Sequence, residues 1–350
     1  MPIQSIEIMN VMVFQRYCRE DNDAARDEAF HLHFSDGINV LIGENGTGKT
    51  TVLKMIYAAT QWSIPKTDPG KTRKLIQYFS STISNSDALK NGNVPDDYSY
   101  YKVSDGEHYF EESLSHKGIF NYDQWLGLNI QSVFIPATEM LSHSKGFLAM
   151  NQKYNMPFDG TQNDIIVNAS LPETREIPEN MKPVLDKISE AIGGTVIEED
   201  DTFYMLKNDG RKIEFSLEAE GLRKLGLIWK LIRNGLLETG SILLWDEPEA
   251  NLNPELYPLV AEILLALQEN GVQIFIATHS YNFAKYLEIR RRNKTQVLYH
   301  NLYKGSEDHQ IYSQSALDMA ELELNHIMMA DNKLLDEVYG KFPLGKVEKQ

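Results

Sequence analysis

One cysteine, Cys18, stands in a chain of 350 residues. That scarcity excludes an internal disulfide framework and a cysteine-built zinc site. No apolar run reaches the length of a membrane span and no leader peptide is evident, so the expectation is a cytoplasmic protein without a membrane partner. Positive charge is also short, with 34 Lys and Arg against 50 Asp and Glu and a formal net charge of −16. A chain that coats nucleic acid over most of its surface needs clustered cations, and this balance excludes that arrangement while leaving room for a local basic patch. There is no internal repeat and no heptad run long enough for a coiled coil. What is plentiful is core-forming material, 42% hydrophobic and 10% aromatic, enough for one large α/β domain or a domain with a sizeable inserted lobe.

Residues 3–8 and 11–14 are apolar and β-branched and read as one or two strands, and after the polar stretch 19–28 the run 30–34 alternates as a half-buried strand does. Ser35-Asp36-Gly37 is a turn signal. The continuous apolar run 38–42 marks a buried strand that feeds a glycine-rich loop and a helix over 49–62. Beyond Ser63 the pattern loosens to about Gly118, broken by Pro65, Pro69, Gly70, Gly92 and Pro95. An insertion is expected there, with a helix near 73–79 and a hairpin around 98–110. Strand 132–135 returns to the core, and 141–192 reads as mainly helical. Strands follow at 195–198 and 203–215, the second folded back at Asn208-Asp209-Gly210.

A helix over 222–237 precedes strand 242–245. Asn253 then caps a helix with Pro254 at its first position and Gly271 past its end, with Leu256, Val260, Ile263, Leu264 and Leu267 on one face. Strand 272–277 follows, then a helix from Tyr281, a strand near 296–303 and a final helical stretch.

Gly43-Glu44-Asn45-Gly46-Thr47-Gly48-Lys49-Thr50 matches G-x-x-x-x-G-K-[ST] in full, between a buried strand and an apolar helix. In such a loop the backbone N–H groups wrap the β-phosphate. Lys49 places a point charge between the β- and γ-phosphates, the Thr50 hydroxyl is a Mg²⁺ ligand, and Thr51 reaches toward the α-phosphate. The strand 242–245 ends in Asp246-Glu247. A carboxylate at its tip holds Mg²⁺, largely through water, and Glu247 beyond it suits a general base for the attacking water. Thr278-His279-Ser280 ends the next buried strand, where His279 would meet the γ-phosphate.

The order of these segments resembles an ABC-type ATPase head of the branch shared by structural-maintenance-of-chromosomes (SMC), RecF-like and overcoming-lysogenization-defect (OLD) proteins. The phosphate loop is followed by Ala219-Glu220-Gly221-Leu222-Arg223, Asp246-Glu247, Pro248-Glu249-Ala250-Asn251-Leu252-Asn253-Pro254 and His279. The likeness is close over about 3–53 and 217–280 and loose in the middle lobe. It implies an α/β P-loop NTPase fold, a mixed central sheet with N-terminal antiparallel strands and an inserted, mainly helical lobe. The expected division is a nucleotide-binding core of 1–62 with 196–305, an inserted lobe 63–195 and a helical extension 306–350.

The resemblance also implies ATP and Mg²⁺ as cofactors and an ATP-dependent homodimer, in which the signature segment of one subunit caps the γ-phosphate held by the other. Ala219, Glu220, Gly221 and Arg223 occupy that segment here, and Asn251 lies in the loop that crosses the interface. Two departures stand out. Ala219 replaces the usual signature serine, with Ser216 three residues earlier as an alternative if the register shifts. The family's glutamine after strand 132–135 is also missing, leaving Glu139 either as a metal or water contact or as a structural residue.

No paired-acid strand of a Toprim nuclease follows His279, no His-Asn-His constellation is evident and long coiled-coil arms are absent. The leading expectation is therefore a stand-alone ATPase switch driving a separately encoded effector, such as a nuclease, in bacterial phage defence or DNA maintenance. The alternatives are a RecF-like DNA-binding repair ATPase and a transporter ATPase subunit. Arg290-Arg291-Arg292-Asn293-Lys294 and the looser set Lys66, Lys71, Arg73 and Lys74 are the stretches where nucleic acid would touch; each is otherwise a solvated surface.

Overall fold

In the computed structural model the described residues are 2–16, 29–65, 73–80, 82–83, 85–91, 99–114, 118–120, 122–154 and 156–341. Cys18, the stretch 19–28, Lys66, Lys71 and the first residue of the expected hairpin lie outside them. In chain order the strands and helices are β1 (Ser5–Met9), β2 (Phe30–His33), β3 (Ile38–Gly43), α1 (Lys49–Trp62), β4 (Tyr100–Ser104), β5 (Tyr109–Ser113), β6 (Gly118–Phe120), α2 (Tyr122–Trp125) and β7 (Ser132–Ile135). Then come α3 (Phe147–Tyr154), α4 (Gly160–Ala169), α5 (Lys182–Ile192), β8 (Gly194–Glu199), β9 (Thr202–Lys207), β10 (Lys212–Glu214) and α6 (Glu220–Arg233). The last set is β11 (Ile242–Asp246), α7 (Tyr257–Glu269), β12 (Gln273–Ala277), α8 (Tyr281–Arg290), β13 (Val297–Lys304), β14 (Ile311–Ala316) and α9 (His326–Lys341).

The central sheet runs β14-β13-β3-β12-β11-β7. Its neighbours pair in parallel except for β14, which is antiparallel to β13 and makes the sheet mixed. The parallel strands are apolar without alternation because both faces are covered. Ile38, Val40, Ile42, Leu243, Trp245, Ile274 and Ile276 point into one core, shared with α4 to α8. The residues between them, Leu41, Ile242, Leu244, Phe275 and Ala277, point into the other, shared with α1 and the antiparallel strands. Successive Cβ atoms alternate across a strand, so one sequence run fills two cores.

The second core is closed by an antiparallel sheet ordered β2-β1-β4-β5-β6. The inserted hairpin β4–β5 thus completes the N-terminal sheet, with β1 paired to β2 on one side and β4 on the other. Its turn falls at Asp105–His108, where the Asp105 carboxylate accepts the N–H groups of Glu107 and His108. The expected helix near 73–79 is only a 3₁₀ turn, Leu75–Tyr78. The tail differs too: β14 is a strand the sequence reading placed in a helical stretch. It is an edge strand whose one fully buried residue is Ile311, so it carries almost no apolar periodicity.

Helix α1 sits between the two sheets and is buried along nearly its whole length. It begins after Gly48, held at φ 92°, and ends where Ser63 takes the Thr60 carbonyl with both its amide and its hydroxyl, with Pro65 following. The helical lobe grips α1 through a helix cap. Asp159 Oδ1 accepts the first amides of α4, from Thr161 and Gln162, while Oδ2 accepts Lys54 Nζ of α1 at 2.7 Å. Tyr57 of α1 donates to Asp164 of α4 at 3.1 Å, and Arg73 pairs with the same carboxylate.

Candidate nucleotide site

Strands β3, β11 and β12 end at the same edge of the central sheet, which is where parallel α/β sheets hold ligands. The phosphate loop leaves β3 at Gly43, whose φ is 139°. A Cβ there would lie 2.1 Å from the Leu302 carbonyl oxygen of β13, so only glycine fits. Gly48 is equally constrained, since a Cβ would meet the Phe14 ring at 2.5 Å. The short Met12–Phe14 segment thus braces the loop from outside, and Thr51 Oγ1 lies 3.8 Å from Met12 Sδ. Thr47 closes the loop on itself by donating to the Glu44 carbonyl at 2.9 Å.

Lys49 lies across the loop, its Nζ donating to the carbonyls of Gly43 and Glu44 at 2.8 Å each. Burial pushes its pKa down to about 8, against the pull of Asp246 and Glu247. A cation disfavoured by its surroundings in this way gains from a phosphate placed beside it.

The two nucleotide motifs converge. Thr50 Oγ1 donates to Asp246 at 3.0 Å to Oδ1 and 3.1 Å to Oδ2, although 196 residues separate them. Burial pushes the Asp246 carboxyl up to about 6 despite the Thr50 bond, so it too lacks a compensating charge. A hydroxyl and a carboxylate in contact are the hard oxygen donors Mg²⁺ takes when phosphates and water complete its shell, and the pair fits such an ion. Among the described residues no group of three or more His, Cys, Asp or Glu side chains could hold a metal.

Glu247 follows directly, in left-handed backbone at φ 48°, anchored by its amide to the Ala277 carbonyl of β12 at 2.9 Å. A non-glycine residue in that region costs about 1–3 kcal/mol and is typical of functional positions. His279 Nε2 lies 3.5 Å from Glu247 Oε1. Burial, then the nearby Lys49 charge, holds the His279 pKa below its ordinary value, opposed by Glu247 and by the Gly43 main chain. A neutral imidazole is favoured there.

Two residues the sequence reading passed over complete this corner. Glu249 Oε1 accepts the Thr278 hydroxyl at 2.6 Å and the His279 amide at 3.0 Å, fixing the histidine's main chain. Lys224 is 2% exposed, and its ammonium donates to the carbonyls of Ala250 at 2.6 Å and Glu247 at 3.3 Å. The sequence signal for Lys224 was faint: α6 buries two lysines, Lys224 and Lys230, and residue type does not tell them apart.

The signature segment lies at the start of α6. Ala219 offers no side-chain cap, and the Ser216 hydroxyl donates to Glu214 at 2.7 Å. Gly221 allows close packing on the crossing loop, since a Cβ there would stand 2.9 Å from Leu252 Cδ1. Asn251, at φ 56°, donates to Glu220 at 3.0 Å. Both oxygens of Glu139 are engaged. Oε1 accepts the amide of Leu141 at 2.5 Å and that of Ser142 at 3.2 Å, and Oε2 accepts Arg223 Nη1 at 2.9 Å. These bonds make Glu139 a brace, in a pocket it shares with Glu247. The brace ties the helical lobe to α6.

The basic run after α8 carries no free charge. Arg290 pairs with Glu262 at 3.3 Å, Arg292 with Glu269 at 3.1 Å, and Arg291 and Lys294 both pair with Asp318. In the looser set Arg73 is spent on Asp164. Among the described residues no helix is long and apolar enough to cross a membrane.

Comparison with known proteins agrees with this geometry. A family described as "AAA domain" matches residues 5–192, more than half of the chain. A second, described as "AAA domain, putative AbiEii toxin, Type IV TA system", matches 138–284. The arginine transport ATP-binding protein ArtP of Haemophilus influenzae is 41% identical over 54 residues, 15% of this chain, and the chain spans only 22% of that relative's length.

Among solved structures, an SMC head bound to the C-winged helix domain of ScpA aligns over 90% of this chain and 98% of its own, at 12% identity and a TM-score of 0.52. The SMC head domain from Thermotoga maritima covers 90% of this chain and 99% of its own, at 12% identity and a TM-score of 0.46. With the phosphate loop, the acidic strand end and the mixed sheet in this arrangement, the chain belongs to the AAA-domain family, and its fold is like that of an SMC head.

Proposed function

We propose that this head binds Mg·ATP at the edge of β3, β11 and β12, hydrolyses it, and uses the cycle to pair with a second copy and signal to a separately encoded effector. The contact between Thr50 and Asp246 carries the reading. Loop amides and Lys49 bind the β- and γ-phosphates, and Thr51 lies toward the α-phosphate. Thr50 and Asp246 would hold Mg²⁺, which supplies neutralisation of the phosphate charge. Glu247 takes the proton of the attacking water, and His279, neutral and set by Glu249, orients that water against the γ-phosphate. The signature residues Ala219, Glu220, Gly221 and Arg223, with Asn251, face the partner copy's nucleotide.

A protein partner is supported by the related SMC head, whose winged-helix partner is bound to a head of this fold. A place in bacterial defence is supported by the toxin–antitoxin description of the family over 138–284. The internally paired basic run gives no support to a DNA-binding role.

The test is phosphate release and light scattering on the purified protein with Mg·ATP. Glu247→Gln is expected to keep ATP binding, slow hydrolysis by about 10²–10⁴-fold, and accumulate a dimer. Hydrolysis at the parental rate by that variant would overturn the assignment of the base.

A further inference from the structure

The signature turn of this chain lacks the expected hydroxyl at Ala219 and carries a carboxylate one residue on. Glu220 opens α6 directly after Ala219 and is the acid in the helix's first turn. Placed against a partner's triphosphate, that charge repels unless a cation meets it. The neighbouring acids are already occupied: Glu218 pairs with Lys207 at 2.5 Å, and Glu214 accepts the Ser216 hydroxyl. Glu220 accepts Asn251 Nδ2 and has no cation within ion-pair distance among the described residues. Beside it Leu217 is 79% exposed, an apolar side chain that a covering surface would shield.

The complementary charge stands at the phosphate loop. Strand β13 runs parallel to β3, with Leu302 opposite Gly43, so that its last residue, Lys304, reaches the loop's tip. Lys304 Nζ lies 3.9 Å from where a Cβ on Gly46 would stand. Lys304 is exposed, and no carboxylate pairs with it among the described residues. The nearby acid, Glu44, faces His326 of α9 at 3.4 Å instead. Lys224 on the next turn feels the Glu220 charge but spends its ammonium on two carbonyls, so the chain carries an anion on its signature turn and a cation on its phosphate loop, neither in an ion pair among the described residues. The two form no ion pair with each other within the chain.

We infer that Glu220 of one copy pairs with Lys304 of the partner subunit when two heads close on ATP, so that a cross-copy ion pair does the work of the absent signature hydroxyl. The inference rests on the face-to-face pairing proposed above, whose two-fold symmetry forms the contact twice. Asn251 releases Glu220 as it crosses to the partner, which makes its bond to Glu220 in the single copy a resting contact.

The experiment uses the full chain in the Glu247→Gln background, with dimerisation on Mg·ATP followed by light scattering and nucleotide binding by a fluorescent ATP analogue. Glu220→Lys alone and Lys304→Glu alone each set like charges against each other twice and are expected to weaken the dimer by about tenfold or more. An equimolar mixture of the two variants restores opposite charges at both contacts and is expected to pair nearly as well as the parent. Glu220→Gln and Lys304→Gln, which remove charge without reversing it, are expected to weaken pairing by about threefold.

A mixture no tighter than either variant alone overturns the ion pair, as do single variants that dimerise like the parent. If the Glu247→Gln parent stays monomeric on ATP, the pairing reading itself falls and takes the ion pair with it. A parent that pairs while the mixture does not separates the two failures.

Discussion

The two sides of the candidate site are held by different physics. On the phosphate side, β3, β11 and β12 fix Gly43, Asp246 and Ala277 by parallel main-chain pairing inside two apolar cores. The side chains there, Lys49 and Asp246, are buried at an electrostatic cost that a bound Mg·triphosphate would offset. On the signature side, position is set by single long-range polar contacts: Arg223 to Glu139, Lys224 to two carbonyls, and Asn251 to Glu220. A sheet edge of the first kind is a preformed binding surface. Contacts of the second kind exchange at modest cost, which suits the half of the molecule proposed to meet a second copy.

The largest expected effect tests the phosphate side. Lys49→Ala removes the buried cation and is expected to weaken ATP binding by about a hundredfold or more, read with a fluorescent nucleotide. Affinity within threefold of the parent would mean that the loop does not hold the phosphates. On the signature side, Lys224→Met keeps the apolar stem but leaves the Ala250 carbonyl without its donor and the Glu247 carbonyl with only the Ala250 amide. That orphaning costs about 1–3 kcal/mol of stability, and because the weakened Glu247 carbonyl belongs to the residue proposed as general base, turnover is expected to fall about tenfold with ATP affinity little changed. Equal losses in both would make Lys224 a part of nucleotide binding, and the contrast between the sides would blur.

The sequence made these two sides legible to different degrees, for the same physical reason. Runs such as 38–42 and 273–277 carry no polar alternation because both faces are buried, so the strands and the loop at Gly43 could be placed from composition alone. The hairpin at 100–113 could be predicted, but not that it completes the sheet of β1, since pairing is a long-range choice between similar edges. β14 escaped because an edge strand with one buried residue has no period to read. Glu139 and Arg223 are 84 positions apart, and nothing in either neighbourhood announces the pair. Lys224 acts on main-chain carbonyls and Glu249 in part on the His279 amide, and main-chain partners leave no trace in residue type.

A double-mutant cycle sharpens the comparison further. Arg223 and Glu139 have side chains 16% and 3% exposed, so their bond is shielded better than a surface pair. Glu139→Gln, Arg223→Gln and the double variant are expected to give a coupling energy of about 1–2 kcal/mol by urea unfolding. The coupling should shrink when salt is raised, because one partner still touches solvent. Zero coupling would mean that Glu139 acts only through the amides of Leu141 and Ser142, leaving the lobe tied to α6 by contacts such as Trp229 to Ser189 and Asn234 to Asn168.

The smallest effect lies on the sheet side and is driven by acid rather than salt. His300 of β13 is fully buried, with Nδ1 2.7 Å from Ser315 Oγ and Nε2 3.3 Å from Asn39 Oδ1. Burial alone lowers its pKa from 6.5 to about 3. Between those values the unfolded chain binds a proton that the folded chain refuses, so this residue's contribution is complete above 6.5 and is lost as pH falls toward 3. Linkage puts the loss at about 1 kcal/mol over the first pH unit below the ordinary histidine value. The measurement is the difference in urea midpoint between parent and His300→Gln at a series of pH values, which cancels the other titrating groups. The difference should narrow as acid is added, since glutamine has no proton to gain. A difference that stays constant with pH would mean that the folded protein accommodates the charged imidazole, and that the interior beside β3 is wetter than its side chains suggest.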